Sequence, residues 1–178
     1  AEEYHQDYYL KNPEEFKNEI LISGRKEKTD YKLLIKMLES LIEDADYDIS
    51  IYANTSALIF DNLKNLNWAG FYLLKDDELL LGPFIGHVAC SKIKVGNGVC
   101  GTAVKEKKTI VVDNVHEFKG HIACDSASNS EIVIPIFKDS KIIGVLDIDS
   151  PNYSRFKTYD KLGLESLVEV LEKYLWCI

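Results

Sequence analysis

The sequence predicts an α+β domain in the broad α/β class. It has one antiparallel sheet, helices from both chain ends on one face, and site-bearing loops on the other. Three observations carry this. The 178 residues suit one domain with its own core. Segments of helical period lie at both ends of the chain, while the middle has a strand period. The strand-like segments come as adjacent pairs around short turns, which makes hairpins and an antiparallel sheet.

Taken in order, residues 1–29 are polar, with Tyr and charged groups interleaved. They read as a peripheral arm or short helix, with Asn12 as cap and Pro13 in the first turn. Residues 30–178 form the domain. A helix is expected from about Asp30 to Glu43, where Leu33, Leu34, Met37, Leu38, Leu41 and Ile42 make one apolar stripe. A second is expected over Asp48–Asn65, with Ile51, Leu58, Ile59, Leu63 and Leu66 inward. WAGFYLL (68–74), a turn at Asp76-Asp77 and ELLLGPFIG (78–86) make the first hairpin. VGNGVCGTAV (95–104) is a glycine-rich loop entering a short helix near 101–106. TIVVDNV (109–115) is a short strand and residues 117–130 are a long polar loop. EIVIPIF (131–137) and IIGVLDID (142–149) make the second hairpin. A last helix runs from Thr158 or Asp160 to about Trp176, with Leu164, Leu167, Val168, Leu171, Tyr174 and Leu175 on its apolar face.

The net charge of −8 disfavours nucleic acid and anionic membrane surfaces as partners, because both attract basic patches. No apolar run approaches the roughly 20 residues of a membrane span. The acidic, aromatic N-terminus lacks the features of a signal peptide, so the cytoplasm is the expected compartment. In that compartment Cys90, Cys100, Cys124 and Cys177 are thiols, ligands or catalysts rather than static staples.

A single cysteine is most often a small buried hydrophobe. Cys90, Cys100 and Cys124, however, are flanked by glycine and small polar residues rather than by apolar runs. Cys100 also stands near a helix start, where an anion is stabilised and a thiol pKa lowered. A competing pattern is the repeat GHVAC (86–90) and GHIAC (120–124), whose two His-x-x-Cys pairs fit a Cys₂His₂ zinc site. It lacks the tight Cys-x₂₋₄-Cys turns of zinc knuckles and leaves Cys100 idle, so no metal is expected.

Glu131, Asp147 and Asp149 bracket the second hairpin. Asp147 and Asp149 are two apart on a strand and share a face, with Leu146 and Ile148 on the other. Such carboxylates bind a cation such as an ammonium, share a proton as an acid, or form a solvated face. Trp68 and Tyr72 share a strand face and either pack in the core or stack on a small apolar or sulfur group. The Gly96-Asn97-Gly98 loop lacks a P-loop ending.

NWAGFYLL, GVCGTA, GHIACDSASNSEIVIPI and IIGVLDIDSP closely resemble the free methionine-(R)-sulfoxide reductase family of GAF domains. The resemblance covers about residues 30–175. It implies a single GAF-like domain that reduces free methionine-(R)-sulfoxide, with no metal or organic cofactor. It further implies a homodimer recycled by a thioredoxin-like reductant. On this resemblance Cys124 is the nucleophile, and Cys90 and Cys100 are the resolving pair; which thiol attacks first and which disulfide dominates stay open. Glu131, Asp147 and Asp149 match the substrate carboxylates, and Trp68 and Tyr72 the aromatic wall. Glu131 is also the expected proton donor to the sulfoxide oxygen. GHVAC departs from the family's Lys or Pro near His87 and Val88, and Asn97 stands where Lys is usual. Residues 1–29 and Cys177 have no counterpart. A non-enzymatic GAF module that binds a small ligand is the alternative.

Overall fold

Four α-helices, one short 3-10 helix (Val115–Glu117) and six strands account for the regular structure among the described residues, 29–120 and 126–175, of this computed structural model. The chain divides into two compact units at Asp30, and these elements all belong to the second. The expected helix start at Asn12 and Pro13 lies outside the described residues. Helices α1 (Tyr31–Ile42) and α2 (Asp48–Asn62) precede a hairpin of β1 (Trp68–Lys75) and β2 (Glu78–Gly86). Then come β3 (Lys92–Lys94), α3 (Gly98–Glu106) and β4 (Ile110–Val112). The second hairpin, β5 (Ser130–Lys138) and β6 (Lys141–Ser150), leads into α4 (Thr158–Tyr174). No described helix is long and apolar enough to cross a membrane.

The sheet order is β3-β2-β1-β6-β5-β4, with every pairing antiparallel. β1 and β6, which join the two hairpins, are therefore central. Alternation along the strands sorts side chains into two cores. Ala69, Phe71, Ile132, Ile134, Ile136, Leu146 and Ile148 pack with α1, α2 and α4. Trp68, Tyr72, Val133 and Val145 face the other way and pack against α3 residues Val99, Cys100, Ala103 and Val104. The sequence expectation of helices from both ends on one face holds. The second face, expected to carry loops, also carries α3.

Two details differ from expectation. β3 is too short, at three residues, to show a strand period. α2 ends at Asn62, and its buried residues are Asp48, Ile51, Tyr52, Thr55, Ser56 and Ile59, with Leu58 only half-buried. Polar Thr55 and Ser56 can face the core because their hydroxyls donate to Ile51 O (2.7 Å) and Tyr52 O (2.8 Å) one turn back. The two ends of the domain are tied by Asp160 in the first turn of α4. It accepts from the Tyr31 hydroxyl (2.8 Å) and the Lys157 N–H (2.9 Å) and pairs with Arg155 (3.2 Å).

Candidate active site

Three neighbouring strands bring the predicted carboxylates into one place. Glu131 on β5 lies opposite Asp149 on β6, which lies opposite Trp68 on β1. In the adjoining row on that face, Val133 lies opposite Asp147, which lies opposite Gly70. Directly opposed residues share a face, here the one turned away from α1, α2 and α4. A Cβ on Gly70 would overlap Phe84 and come within 2.8 Å of Trp68 Cη2. The glycine thus lets the indole lie flat over β1 beside Asp147.

Helix α3 supplies Cys100. The sequence placed this residue in a loop or at a helix edge; it is the third residue of α3, 3% exposed. Gly101 lets the helix seat this closely, since a Cβ there would overlap the Lys94 carbonyl oxygen. Cys100 Sγ donates to Asp147 Oδ2 at 3.2 Å and lies 4.0 Å from Glu131 Oε1. A hydrogen bond also joins the Glu131 and Asp147 side chains.

Burial dominates the electrostatics. It raises the Glu131 carboxyl well above the ordinary range, and the negative charges of Asp147 and Asp149 raise it further. Burial also lifts Asp147, but hydrogen bonds from Cys100, Glu131 and the Ile148 N–H hold it to about 6. Glu131 is therefore the proton-bearing partner, donating to Asp147. The Cys100 thiol is pushed up by burial first and by Asp147 and Glu131 next. This overturns the expectation of a lowered pKa at the helix start: a terminal dipole contributes about 0.3–1 kcal/mol, too little against desolvation beside two carboxylates. Within the cluster Glu131 thus holds its proton more tightly than Asp147, and burial favours the protonated thiol of Cys100. Asp147 Oδ1 is buried with no hydrogen-bond partner among the described residues. The donor atoms of Cys100, Glu131 and Asp147 lie within 4.8 Å of one another, so this trio is the described group with the spacing to hold a cation.

Trp68 and Tyr72 share this face as expected, 2% and 1% exposed, with ring centroids 6.0 Å apart. Phe84, which the sequence reading did not single out, also stacks on Trp68, at 5.2 Å. The polar ends of both rings have a use that was not foreseen. Trp68 Nε1 donates to His87 O at 3.1 Å, and the Tyr72 hydroxyl donates to Cys90 O at 3.0 Å. The available signal was that a buried indole or phenol needs a hydrogen-bond partner.

Cys90 is half-buried and disulfide-bonded, its partner lying outside the described residues, while Cys100 is a free thiol. Cys124 and the second His-x-x-Cys pair also lie outside them, as does Cys177. The site therefore unites Cys100, Glu131, Asp147, Asp149, Trp68 and Tyr72, with Cys90 tied to Tyr72.

Comparison with known proteins places the chain in a family. The GAF domain profile matches residues 53–172. The free methionine-R-sulfoxide reductase of Escherichia coli is 57% identical over 127 residues, covering 71% of this chain and 77% of its own. The structure of fRMsr of Staphylococcus aureus in its reduced form superposes with a TM-score of 0.81 at 60% identity, over 84% of this chain and 97% of that one. The free methionine-R-sulfoxide reductase of Neisseria meningitidis, solved with its substrate, superposes with a TM-score of 0.79 at 42% identity, over 81% and 87%. This chain belongs to the free methionine-R-sulfoxide reductase family of GAF domains.

Proposed function

We propose that this chain reduces free methionine-(R)-sulfoxide to methionine with its own thiols. The observation that carries the reading is the buried Glu131 carboxyl, set beside Asp147 and 4.0 Å from Cys100 Sγ, where burial favours its protonated form. Breaking the sulfur–oxygen bond of a sulfoxide requires a proton on the oxygen, and an acid that keeps its proton at neutral pH supplies it.

In this reading the Cys124 thiolate attacks the sulfoxide sulfur while Glu131 protonates the departing oxygen. Methionine leaves, and Cys124 is left as a sulfenic acid. The Cys90 thiol displaces hydroxide from that sulfur: a disulfide forms and water departs. A dithiol protein of the thioredoxin type then reduces the disulfide by exchange and is itself oxidised. Cys100, reduced and hydrogen-bonded to Asp147, serves the acid cluster rather than the disulfide.

Asp147, whose buried Oδ1 has no hydrogen-bond partner among the described residues, and Asp149 receive the substrate ammonium, and Trp68 borders the S-methyl group. A methionine sulfoxide residue inside a peptide has no ammonium to bring, and leaving buried carboxylates uncompensated is costly. That difference selects the free amino acid. The homodimer implied by the resemblance and the cytoplasmic setting expected from the N-terminal sequence belong to the same reading.

The test is NADPH consumption in a thioredoxin-coupled assay, run in parallel on free methionine-(R)-sulfoxide, its S epimer and an N- and C-blocked R-sulfoxide. Turnover of the free R form alone is expected. Folded, reduced protein that turns over none of them would be a ligand-binding GAF module instead.

A further inference from the structure

The segment His87–Cys90 has no regular secondary structure, and it presents His87 and Val88 to solvent, Val88 at 86% exposure. Ala89 and Cys90 at its inner end pack against the second core, but no ladder of backbone hydrogen bonds fixes the path of the chain between them and β2. Its first and last carbonyls, however, are each held by a donor from β1: Trp68 Nε1 on His87 O and the Tyr72 hydroxyl on Cys90 O. The two donors are four residues apart on one strand and one face. Their rings are stacked and fully buried, so neither can follow the loop if it drifts. Strand β1 is pinned in turn by its register with β6, Trp68 against Asp149 and Tyr72 against Val145. A four-residue stretch is thereby held at both ends by a buried inner strand of the sheet, and the residue at its inner end carries the disulfide sulfur.

We propose that Tyr72, with Trp68, is a positioning residue for Cys90, presenting its thiol for disulfide closure rather than acting only as a wall for substrate. The proposal rests on the reading that Cys90 resolves a sulfenic acid, and it concerns the second half of that cycle. In the step it governs, the Cys90 sulfur bonds to the sulfenic sulfur, the sulfur–oxygen bond breaks, and water carries away the oxygen and both protons. Closure needs the two sulfurs aligned, so a loop that samples more positions slows it.

The experiment uses the reduced full chain, wild type and Tyr72→Phe, which keeps the ring and removes the hydroxyl. Each is mixed with one equivalent of free methionine-(R)-sulfoxide without external reductant. Methionine formation is followed by quenched-flow chromatography, and closure by loss of free thiol and by trapping of sulfenic acid with a 1,3-diketone. Closure in Tyr72→Phe should slow by about tenfold more than methionine formation, as loss of one buried hydrogen bond suggests, and trapped sulfenic acid should accumulate. In a second measurement the preformed disulfide of the variant should be reduced several-fold faster by a small dithiol, because the loop is freer. Equal slowing of both steps, or slower methionine formation alone, would reduce Tyr72 to a pocket wall and overturn the proposal. Wild-type protein that forms no methionine would instead sink the functional reading, and this proposal with it.

Discussion

Cys100 Sγ lies 3.2 Å from Asp147 Oδ2, so a thiol and a carboxylate share one buried hydrogen bond at the centre of the site. The thiol keeps its proton because a second negative charge beside Asp147 and Glu131 is disfavoured. Cys100 should therefore resist alkylation by iodoacetamide at neutral pH in the folded, reduced protein and react on denaturation. Peptide mass spectrometry with timed labelling reads this directly; modification of Cys100 as fast as a free thiol would contradict the assignment.

The paired carboxylates predict a bell-shaped pH profile. Ammonium binding needs Asp147 ionised, so kcat/KM falls as pH drops through about 6. Proton donation needs Glu131 protonated, so the rate falls again as pH rises through its elevated pKa. The two limbs belong to the pair rather than to either residue alone. Glu131→Gln should lower single-turnover methionine formation on the order of 10²–10⁴-fold and remove the alkaline limb. An unchanged profile in that variant would mean the proton comes from elsewhere.

The same shifts carry a stability consequence. Asp147 has its carboxyl raised from 3.8 to about 6, so the folded state binds more protons than the unfolded one in that interval. Stability from this group is complete below about 4 and is lost as pH rises through about 6. Asp147→Asn should then stabilise the protein at pH 7 by about 1–3 kcal/mol, while impairing substrate binding. Thermal melts at pH 4.5 and 7 should show a clearly larger gain at the higher pH; a variant that melts lower at both would show that the carboxylate is needed for the fold.

Asp149 is half-buried one position beyond Ile148 and stands between Glu131 and Trp68. Asp149→Asn should raise KM for the free sulfoxide about tenfold or more, as expected for losing one charged hydrogen bond. Steady-state kinetics equal to wild type would remove Asp149 from ammonium recognition.

Gly101→Ala probes the seat of α3. The new methyl would overlap the Lys94 carbonyl oxygen and sit 2.9 Å from Gly96 N, so the helix must move. A cost of about 1–3 kcal/mol is expected, read as a lower midpoint in chemical denaturation. Cys100 would move with the helix, and its protection from alkylation should drop in parallel.

Much of this was legible in the sequence, for identifiable reasons. The period-2 pattern of IIGVLDID places Asp147 and Asp149 on one face whatever the sheet around them, and the structure keeps them there. The two hairpins likewise depend on local pattern alone, whereas the α1 stripe holds only in part: Leu34, Leu38 and Ile42 are buried, Leu33 and Met37 half-buried, and Leu41 exposed. What could not be read were relationships set by register. Nothing local says that Glu131 falls opposite Asp149, or that α3 lays Cys100 over Asp147. The direction of the Cys100 pKa was misjudged for the same reason: a helix start is visible locally, whereas desolvation depends on what folds over it. Thr55 and Ser56 misled the α2 face because hydroxyls bonded within their own helix can be buried where polarity argues against it. The assignments to Cys124 and to residues 1–28 lie outside the described residues.

The alternation on β6 also bears on folding fidelity. A one-residue slip of β6 against its neighbours would turn Asp147 and Asp149 toward the helix-side core and send Leu146 and Ile148 to the other face. Two carboxylates driven into that apolar layer would cost several kcal/mol with no proton-sharing partner to relieve them. The correctly paired sheet instead gathers its charges at one point, with a thiol and a protonated acid to meet them. Mispaired hairpins of this chain are thus penalised by the residues that the chemistry requires, and the site acts as a check on its own assembly.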